Sequence, residues 1–376
     1  MSDNNKMTVQ KEKKAHEPLF HVVKRDAMPW WKSSIIRVVA VLLGLVLCAV
    51  LSKILIDANP GEFIEALIDA TFGSDRRKWK FMKDAAVLLC IALAITPAFK
   101  MRFWNIGAEG QVLMGALCSV GVVMAYGGKV PDWQLLILMF LSAVAGGALW
   151  GGIPAVFKAF WGTNETLFTL MMNYTSSGIV AYFLVKWTPS GSSVLGELQH
   201  GHLPKIFAFS KYPDYLLIIV AVLVITAFVF IYQNFTKHGY EVAVVGESEN
   251  TAKYIGINVK KVIIRTMLIS GAICGIAGFL IVAGLDHSIT ETTVGGRGFT
   301  AIMVSWLAKF NPIVMIGTAA FVTFLDQGAS QISTTFRIDS SFPDMVVGII
   351  LFFIIGCEFF INYKLKFRSA SKKEVQ

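Results

Sequence analysis

Charged residues are scarce in this sequence. Asp, Glu, Lys and Arg together make up 16% of the 376 residues, whereas about 25% is usual for a soluble domain. Hydrophobic residues make up 55%, and uncharged runs long enough to cross a bilayer recur between residues 35 and 363. Within lipid, a helix satisfies its own backbone hydrogen bonds. The composition therefore excludes a water-soluble protein and predicts an all-α, polytopic integral membrane protein.

Motifs for covalent chemistry or nucleotide binding are also missing. The sequence has no GxxxxGKS/T phosphate loop, no GxGxxG turn and no HExxH or GxSxG motif in a span. Its five cysteines lie in apolar stretches, and none has the CxxC or Cys-to-His spacing of a metal site. We therefore predict no catalytic residue, no metal and no cofactor in this chain. Any use of ATP then depends on a partner protein.

Basic residues exceed acidic residues and give a net charge of +9. Basic residues beside spanning helices are typical of topology determinants and of contact with anionic lipid. The sequence has no basic stripe with interleaved aromatic residues of the kind that binds single strands. We therefore expect a lipid bilayer, and no nucleic acid, as a partner.

Eight uncharged or nearly uncharged runs predict spanning helices. They cover residues 35–56, 85–99, 106–126, 135–157, 166–185, 215–232, 266–285 and 345–363. Two further runs, 299–308 and 312–325, are too short to cross alone, and Pro312 breaks a helix because it lacks an N–H donor. We interpret these two runs as a re-entrant or broken helix pair.

A second interruption covers residues 96–110, where Pro97, Asn105, Gly107 and Gly110 separate two apolar runs. Non-helical backbone at membrane depth persists only where it is buried in protein or lines a watery cavity. Broken helices also form the substrate sites of many transporters. Both breaks therefore indicate the transport path.

Three regions follow from these runs: a tail over residues 1–34, a transmembrane domain over 35–363, and a second tail over 364–376. Lys and Arg predict the orientation. With both termini in the cytoplasm, 21 of these residues lie on the cytoplasmic side and 11 on the outer side. Five of the 11 lie between residues 76 and 83, so the 57–84 loop is either an outer loop or an amphipathic interfacial segment.

A polar insertion at residues 237–261 interrupts the cytoplasmic face between two spans. Ser248, Glu249 and Asn250 are typical of a helix start, and Gly256 of a helix end. The spacing predicts a short helix of about two turns outside the membrane. Such a helix is either a docking element or a plain connector.

Small residues repeat at helical spacing in two of the predicted spans. Gly271, Cys274, Gly275 and Gly278 occur at i, i+3, i+4 and i+7, and Gly147 and Gly151 repeat the pattern. Faces of small residues let helices approach closely without any substrate. We therefore predict that these glycines have a packing role.

Four sequence blocks together resemble a known family. They are residues 239–256 followed by ISGAICGIAGFL (269–280), FWNIGAEGQVLMGA (103–116), NETLFTLMMNY (164–174), and a GF…NP pattern over 298–312. Their order is similar to that of bacterial ABC-transporter permeases of the branched-chain amino acid, ribose and nucleoside type. The resemblance is strongest to the nucleoside and simple-sugar permeases, and it covers roughly residues 85–360.

The resemblance implies a function and a set of partners. It implies a plasma-membrane importer subunit for nucleosides that works with a second permease copy or relative, ATPase subunits carrying ATP and Mg, and an extracytoplasmic substrate-binding protein. It also implies that the short helix docks on the ATPase, with Gly246, Glu247, Asn250, Ala252, Tyr254 and Gly256 as coupling residues. The family usually has an arginine where this chain has Ala243, so the detailed ATPase contact differs.

Seven residues near the two breaks are predicted to line the substrate path. They are Trp104, Asn105, Glu109, Gln111, Asn173, Phe299 and Trp306. The polar groups suit a neutral polar ligand, and the rings offer faces on which a base or sugar can stack. For Glu109 an alternative is open, because a carboxylate near Lys100 and Arg102 can also stabilise a helix amino terminus through its dipole.

Two rival functions follow from the same observations. A permease for ribose-like sugars has the same architecture, since one sequence does not identify the polar group that is recognised. A secondary transporter driven by an ion gradient predicts acidic residues in mid-span. The predicted spans contain few of these, with Glu109 and Glu358 both near span ends.

Overall fold

A computed structural model describes residues 20–25, 28–56, 59–188, 195–204, 214–339 and 341–367. Most of these residues are helical. The helices are α1 Trp30–Ile56, α2 Pro60–Phe72, α3 Asp75–Lys100, α4 Ala108–Tyr126, α5 Asp132–Trp161, α6 Glu165–Trp187, α7 Asp214–Phe235, α8 Lys237–Glu247, α9 Glu249–Tyr254, α10 Val259–Leu280, α11 Arg297–Leu307, α12 Pro312–Phe336 and α13 Ser341–Asn362. A π-helical turn over Ile281–Asp286 continues α10.

Within the described part of the chain, nine helices are long and apolar enough to cross a membrane. They are α1, α3, α4, α5, α6, α7, α10 with its π-helical turn, α12 and α13. This arrangement confirms the predicted all-α polytopic class. The described residues divide into two compact units, one made of those up to Pro60 and from Gly348 onward, and the other of those between Gly61 and Val347.

In the larger unit, α3 and α10 form the interior. Every residue of α3 from 86 to 99 is buried, which explains why this stretch is apolar on all sides rather than on one face. Helices α7, α11 and α12 pack against α3, and α4 and α5 pack against α10. The other helices therefore surround a largely apolar centre, in which Thr96 of α3 and Thr266 and Ser270 of α10 are buried polar residues.

Glycines allow α4, α5 and α10 to approach backbone to backbone. A Cβ added to Gly147 of α5 would lie 2.7 Å from the Cα of Gly275 in α10. A Cβ added to Gly115 of α4 would lie 2.6 Å from the same atom. Real Cβ contacts are longer than this, so these positions require glycine. The predicted packing role of the small-residue faces is confirmed.

Two span predictions were wrong in extent. The run at 312–325 was predicted to be too short to cross, but α12 continues to Phe336 through Asp326 and Gln327. Likewise α3 begins at Asp75 rather than at residue 85, and so includes Asp84. In both cases the helical hydrogen bonding continues through charged residues at which the apolar run stops. Acidic residues are therefore present inside helices of spanning length.

Both predicted breaks are present as non-helical links, but the first is shorter than predicted. It covers residues 101–107 between α3 and α4, because Pro97 lies inside α3 and Gly110 lies inside α4. The second covers 308–311 between α11 and α12. Each contains non-glycine residues with positive φ, namely Arg102 at 60° in the first link and Lys309 at 51° and Phe310 at 60° in the second. Such conformations are uncommon for non-glycine residues and cost free energy, which is typical of functional segments.

Most described residues of the 57–84 segment are helical and lie in α2 or the first part of α3. Helix α2 buries Phe63, Leu67 and Ala70 on one side, while Glu62 and Asp69 lie on its exposed side. The exposed side also carries Ile64 and Ile68, which are about half exposed, so the outer loop and the amphipathic interfacial segment both stay predictions. Leu67 packs against Gly328 of α12, where an added Cβ would lie 2.7 Å from the leucine side chain.

The smaller unit contains α1, the last part of α13 and a short β-sheet. Strands β1 Phe20–Lys24 and β2 Tyr363–Phe367 pair antiparallel, with Phe20 opposite Phe367. In the same unit, Arg37 Nε donates to the Glu358 carboxylate at 2.8 Å. Parts of the predicted tails 1–34 and 364–376 therefore form a two-stranded sheet, and residues 30–34 belong to α1. Residues 1–19, 26–27 and 368–376 lie outside the described part.

Candidate functional site

The link between α3 and α4 is held by a pair of buried amides. Asn105 Nδ2 donates to Gln111 Oε1 at 3.3 Å, and Gln111 Nε2 donates to Asn105 Oδ1 at 3.1 Å. Asn105 Oδ1 also accepts from the Gly107 amide at 3.1 Å. Both side chains are almost completely buried. Their polar groups are therefore used within the protein to fix the link.

Asn173 on α6 supports the same link from the other side. Its Oδ1 accepts from the Gly110 amide and its Nδ2 donates to the Ile106 carbonyl, both at 2.9 Å. A Cβ at Gly110 would lie 2.8 Å from Ser176 Oγ. Asn173 thus replaces backbone partners that the interrupted helix cannot supply.

Glu109 connects the first break to α11. Its Oε1 accepts from the Gly296 amide at 2.8 Å, and its Oε2 accepts from the Gly298 amide at 2.7 Å. These amides belong to the first turn of α11, which begins at Arg297. A carboxylate is favourable there because the helix dipole and the free N–H groups both attract it. The structure thus places Glu109 in the first turn of its own helix α4, as predicted, and its carboxylate also at the amino terminus of α11.

Aromatic rings from both breaks meet at one end of the bundle. The ring centroids of Trp104 and Trp306 are 5.3 Å apart. Phe99 lies 5.8 Å from Trp104 and 6.2 Å from Phe310, measured between centroids. Trp104 is 44% exposed and Trp306 is 48% exposed. The structure therefore brings these two predicted path residues together, with ring surface still accessible.

Helix α11 has one exposed apolar face. Phe299, Met303 and Trp306 lie at i, i+4 and i+7, and each is more than a third exposed. We call these three residues the α11 stripe. The opposite face is buried, and Ser305 Oγ donates to the Ala92 carbonyl of α3 at 2.9 Å. Helix α11 is thus fixed to the protein along one side and presents apolar side chains on the other.

The seven predicted path residues consequently fall into two groups. Phe299, Trp306 and Trp104 present exposed rings. The other four bond within the protein and hold the links and α11 in position; they are Asn105, Glu109, Gln111 and Asn173. Sequence reasoning missed Met303, which the helical spacing of the α11 stripe indicates.

The coupling segment consists of two helices rather than one. The predicted short helix is α9, where Ser248 Oγ accepts from the Thr251 amide at 3.2 Å and Gly256 has φ +85°. The predicted start and end are therefore confirmed. Ala252 is buried, whereas Tyr254 is 92% exposed. Asn250 and Glu247 are also exposed.

Helix α8 was not predicted as a separate element. Thr236 Oγ1 accepts from the Gly239 amide at 3.1 Å at its start, a hydroxyl capping pattern that the sequence THG could have indicated. Near its end, Gly246 packs on backbone: a Cβ there would overlap the Lys100 carbonyl and lie 3.3 Å from the Met101 Cα. Helix α8 therefore touches the point where α3 passes into the 101–107 link.

An ion pair joins α8 to α10. Arg265 Nη2 donates to Glu241 Oε2 at 2.9 Å, and His238 Nδ1 lies 3.6 Å from the same oxygen. Burial acts to raise the pKa of Glu241, but the hydrogen bonds and positive charge of Arg265 and His238 outweigh it and hold this pKa below its usual range. The carboxylate is therefore charged near neutral pH and fixes α8 against the bundle.

Comparison with known proteins identifies similar chains. The glucose ABC transporter permease protein TsgB13 of Haloferax volcanii is 27% identical over 355 residues, covering 91% of this chain and 92% of that protein. The guanosine ABC transporter permease protein NupP of Bacillus subtilis is 28% identical, with coverage of 90% and 98%. From the same organism, the guanosine ABC transporter permease protein NupQ is 26% identical, with coverage of 69% and 83%.

A protein-family model also matches this chain. The model is described as the branched-chain amino acid transport system permease component, and it matches residues 80–355. The matched region contains both links, the α11 stripe and the coupling helices. The chain therefore belongs to the family of branched-chain amino acid transport system permease components, and it is a transport subunit rather than an enzyme.

Proposed function

We propose that this chain is the membrane permease of an ATP-driven importer and that it carries nucleosides. The exposed aromatic residues of the α11 stripe and Trp104 carry this proposal. A nucleobase has two flat faces that stack on such rings. Two relatives named as guanosine permeases favour the same substrate class.

A sugar permease is the main alternative. One relative is named as a glucose permease, and sugars also stack their apolar faces on aromatic rings. A path for a hexose needs mainly hydrogen-bonding side chains, because most of a sugar's surface is hydroxyl groups. The α11 stripe instead offers Met303 between two rings. This apolar surface fits a base better than a sugar.

The proposed driving force is ATP hydrolysis by a separate subunit. Membership of this permease family favours ATP over an ion gradient as the driving force. Asp84 and Asp326 lie inside helices of spanning length, where an ion-driven transporter would need acidic residues. We propose that α8 and α9 dock on the ATPase, which holds ATP and Mg. Tyr254 projects from α9 as a nearly fully exposed ring, and an exposed tyrosine is typical of interface hot spots.

Two further partners complete the proposed transporter. A second permease, identical or related, would face this chain across the transport path. NupP and NupQ of one organism are both similar to this chain, which favours a related second permease. An extracytoplasmic binding protein would deliver the nucleoside at the other end.

The proposed orientation puts both termini and the coupling helices in the cytoplasm of a bacterial plasma membrane. The excess of Lys and Arg on that side supports it. Docking of α8 and α9 on a soluble ATPase requires the same orientation. Closure of the ATPase would then move α8 and bias the permease between outward-open and inward-open states.

Uptake by the assembled transporter tests this function. The chain is reconstituted with its partner permease, ATPase and binding protein, and uptake of radiolabelled nucleosides and sugars is measured in parallel. Loss of a ring contact worth about 0.5–1.5 kcal/mol predicts a roughly 2- to 12-fold slower nucleoside uptake for Trp306→Ala. Trp133→Ala is the matched control, because Trp133 is 64% exposed but lies on α5.

The outcome separates the alternatives. ATP-dependent nucleoside uptake that slows in Trp306→Ala, but not in Trp133→Ala, supports the proposal. Sugar uptake without nucleoside uptake would establish the sugar permease instead. Uptake that persists without the ATPase and follows an ion gradient would refute the ATP-driven mechanism.

A further inference from the structure

A cleft of about 650 Å³ opens between α3, α11 and α12. Its wall includes Asp84, which lies about 24 Å along α3 from Lys100, at 1.5 Å per residue over residues 84 to 100. The cleft is therefore at the far end of the bundle from the coupling helices. Its volume falls in the range of about 300–1,000 Å³ that is usual for small-molecule sites. Phe299 of the α11 stripe also lines it.

Polar side chains in the wall are held in fixed positions. Gln327 Nε2 donates to Asp84 Oδ2 at 2.9 Å, and Arg297 Nη2 lies 3.7 Å from Asp84 Oδ1. Asp84 and Arg297 are both largely buried. Because Asp84 and Arg297 face the cleft from different helices, they can contact one ligand from two sides.

Thr323 is a second, independent observation in the wall of the cleft. It lines the cleft and is 4% exposed, and its Oγ1 has no hydrogen-bond partner among the described residues. On the same helix, Thr334 Oγ1 donates to the Ser330 carbonyl at 2.9 Å. A buried hydroxyl without a partner destabilises a protein and usually has a specific cause. A ligand hydroxyl in the cleft would supply the missing partner.

The charge of the wall limits the ligand class. The lining side chains include three carboxylic acids, Asp84, Asp326 and Asp344, and one guanidinium, Arg297. Acidic groups therefore outnumber the basic group in the lining, which disfavours a phosphate. Carboxylates are strong acceptors for hydroxyl donors, and a vicinal diol offers two donors side by side. Phe299 adds a ring face for an aromatic or apolar group.

We propose that this cleft binds the ribose diol of an unphosphorylated nucleoside at the entrance of the path, before the base reaches the α11 stripe. This inference rests on the nucleoside permease function proposed above. The carboxylates of Asp84 and Asp326 accept hydrogen bonds from the diol, and the Thr323 hydroxyl pairs with the same sugar. Phe299 stacks on the base, which places the nucleoside at the first residue of the stripe.

Equilibrium binding to the assembled membrane complex tests the proposal. The complex of this chain, its partner permease and the ATPase is placed in nanodiscs, and the binding protein is left out so that bound ligand reports this complex alone. Radiolabelled guanosine is the probe. Unlabelled 2′,3′-dideoxyguanosine, guanosine 5′-monophosphate and D-ribose compete with it.

Thr323→Val and Asp326→Asn keep the shape of each side chain and remove the polar function. Each should weaken guanosine binding about tenfold, the effect of losing one hydrogen bond to a charged or buried group. Thr323→Val should not lower the melting temperature, because the hydroxyl has no internal partner to lose. Thr334→Val, on the same helix away from the cleft, and Asp132→Asn on α5 are the controls and should bind like wild type.

The competitors identify the recognised group. The dideoxy nucleoside and the monophosphate should each compete at least about tenfold less well than guanosine. Equal competition by the dideoxy nucleoside would overturn the diol assignment, and strong competition by the monophosphate would overturn the charge argument. D-ribose competing as well as guanosine would overturn the role of Phe299 and make the site one for free sugars.

Nucleoside uptake by the wild-type transporter distinguishes failure of this inference from failure of the function. If wild type takes up nucleosides but Thr323→Val and Asp326→Asn bind and transport like wild type, the cleft assignment is wrong and the function stands. If wild type takes up no nucleoside, the function is wrong and the nucleoside assignment of the cleft falls with it.

Discussion

The contact between Glu109 and α11 predicts a sharp local effect of the substitution Glu109→Gln. The carboxylate accepts from the Gly296 and Gly298 amides through its two oxygens, at 2.8 and 2.7 Å. Glutamine has nearly the same shape but only one oxygen. Its NH₂ group would therefore face one of the two amide donors, which loses its acceptor.

The magnitude follows from two contributions, the lost hydrogen bond and the lost charge. A hydrogen bond to a charged group contributes about 1.5–3 kcal/mol, and leaving a buried donor unsatisfied costs about 1–3 kcal/mol for the same site. Loss of the negative charge at the amino terminus of α11 costs about 0.3–1 kcal/mol more. Since the first two values describe one lost bond, we expect about 2–4 kcal/mol in total.

Hydrogen exchange of the backbone amides at residues 296–300 measures this effect. Local opening that becomes easier by about 2–4 kcal/mol speeds exchange roughly 30- to 900-fold, at 1.36 kcal/mol per tenfold. Exchange in α4 and α10 should change little. Glu197→Gln replaces an exposed carboxylate elsewhere in the chain and should leave the exchange of residues 296–300 unchanged.

A Glu109→Gln protein in which residues 296–300 exchange at the wild-type rate would refute this reasoning. That result would mean that packing of the buried face of α11, including Ser305, fixes the helix without the carboxylate. Transport measurements add a second test. Because α11 carries Phe299 and Trp306, a loosened amino terminus should slow uptake even though Glu109 itself never needs to touch substrate.

Three further predictions follow from the packing and the coupling helices. Gly115→Ala should lower the free energy of unfolding by about 1–3 kcal/mol through overpacking, whereas Gly178→Ala, where an added Cβ has no neighbour within 4 Å, should not; thermal unfolding compares them. Because the pKa of Glu241 lies below its usual value of about 4.3, its stabilising contribution is complete above that pH and is lost as pH falls through the folded-state pKa. Glu241→Gln should remove this part of the pH dependence of the melting temperature. Tyr254→Ala should weaken binding to the ATPase by about 1 kcal/mol or more, which co-purification detects, without lowering the melting temperature of the chain. Co-purification at the wild-type level would show that α9 is only a connector.

The helical, membrane-spanning character of the chain was predictable from the sequence because lipid allows few alternatives. Backbone groups must bond within a helix at membrane depth, so long apolar runs predict helices directly. The ends of the spans were less predictable. Asp84 and Asp326 each border an apolar run. Asp84 is held inside its helix by Gln327 and Arg297, and Asp326 faces the polar cleft.

The contacts of the site residues depend on distant parts of the chain. Glu109 meets amides 187 and 189 positions away, and no local pattern indicates that pairing. The amide pair of Asn105 and Gln111 was closer to prediction, since both flank a break whose backbone needs partners. The burial of these two side chains was not predictable, because the sequence does not show which side of a link faces the protein.

The contact of Gly246 with the Lys100 carbonyl has a mechanical consequence. A joint between two side chains absorbs small displacements, because rotamers change before the backbones move. Two backbones in direct contact cannot absorb a displacement in this way. A thrust on α8 should therefore be transmitted almost undamped to the start of the 101–107 link, whose far end is tied to α6 by Asn173 and to α11 by Glu109. A movement of the proposed ATPase would then displace the link directly. The size of that displacement would depend on the geometry of the backbone contacts more than on how tightly the ATPase binds α8.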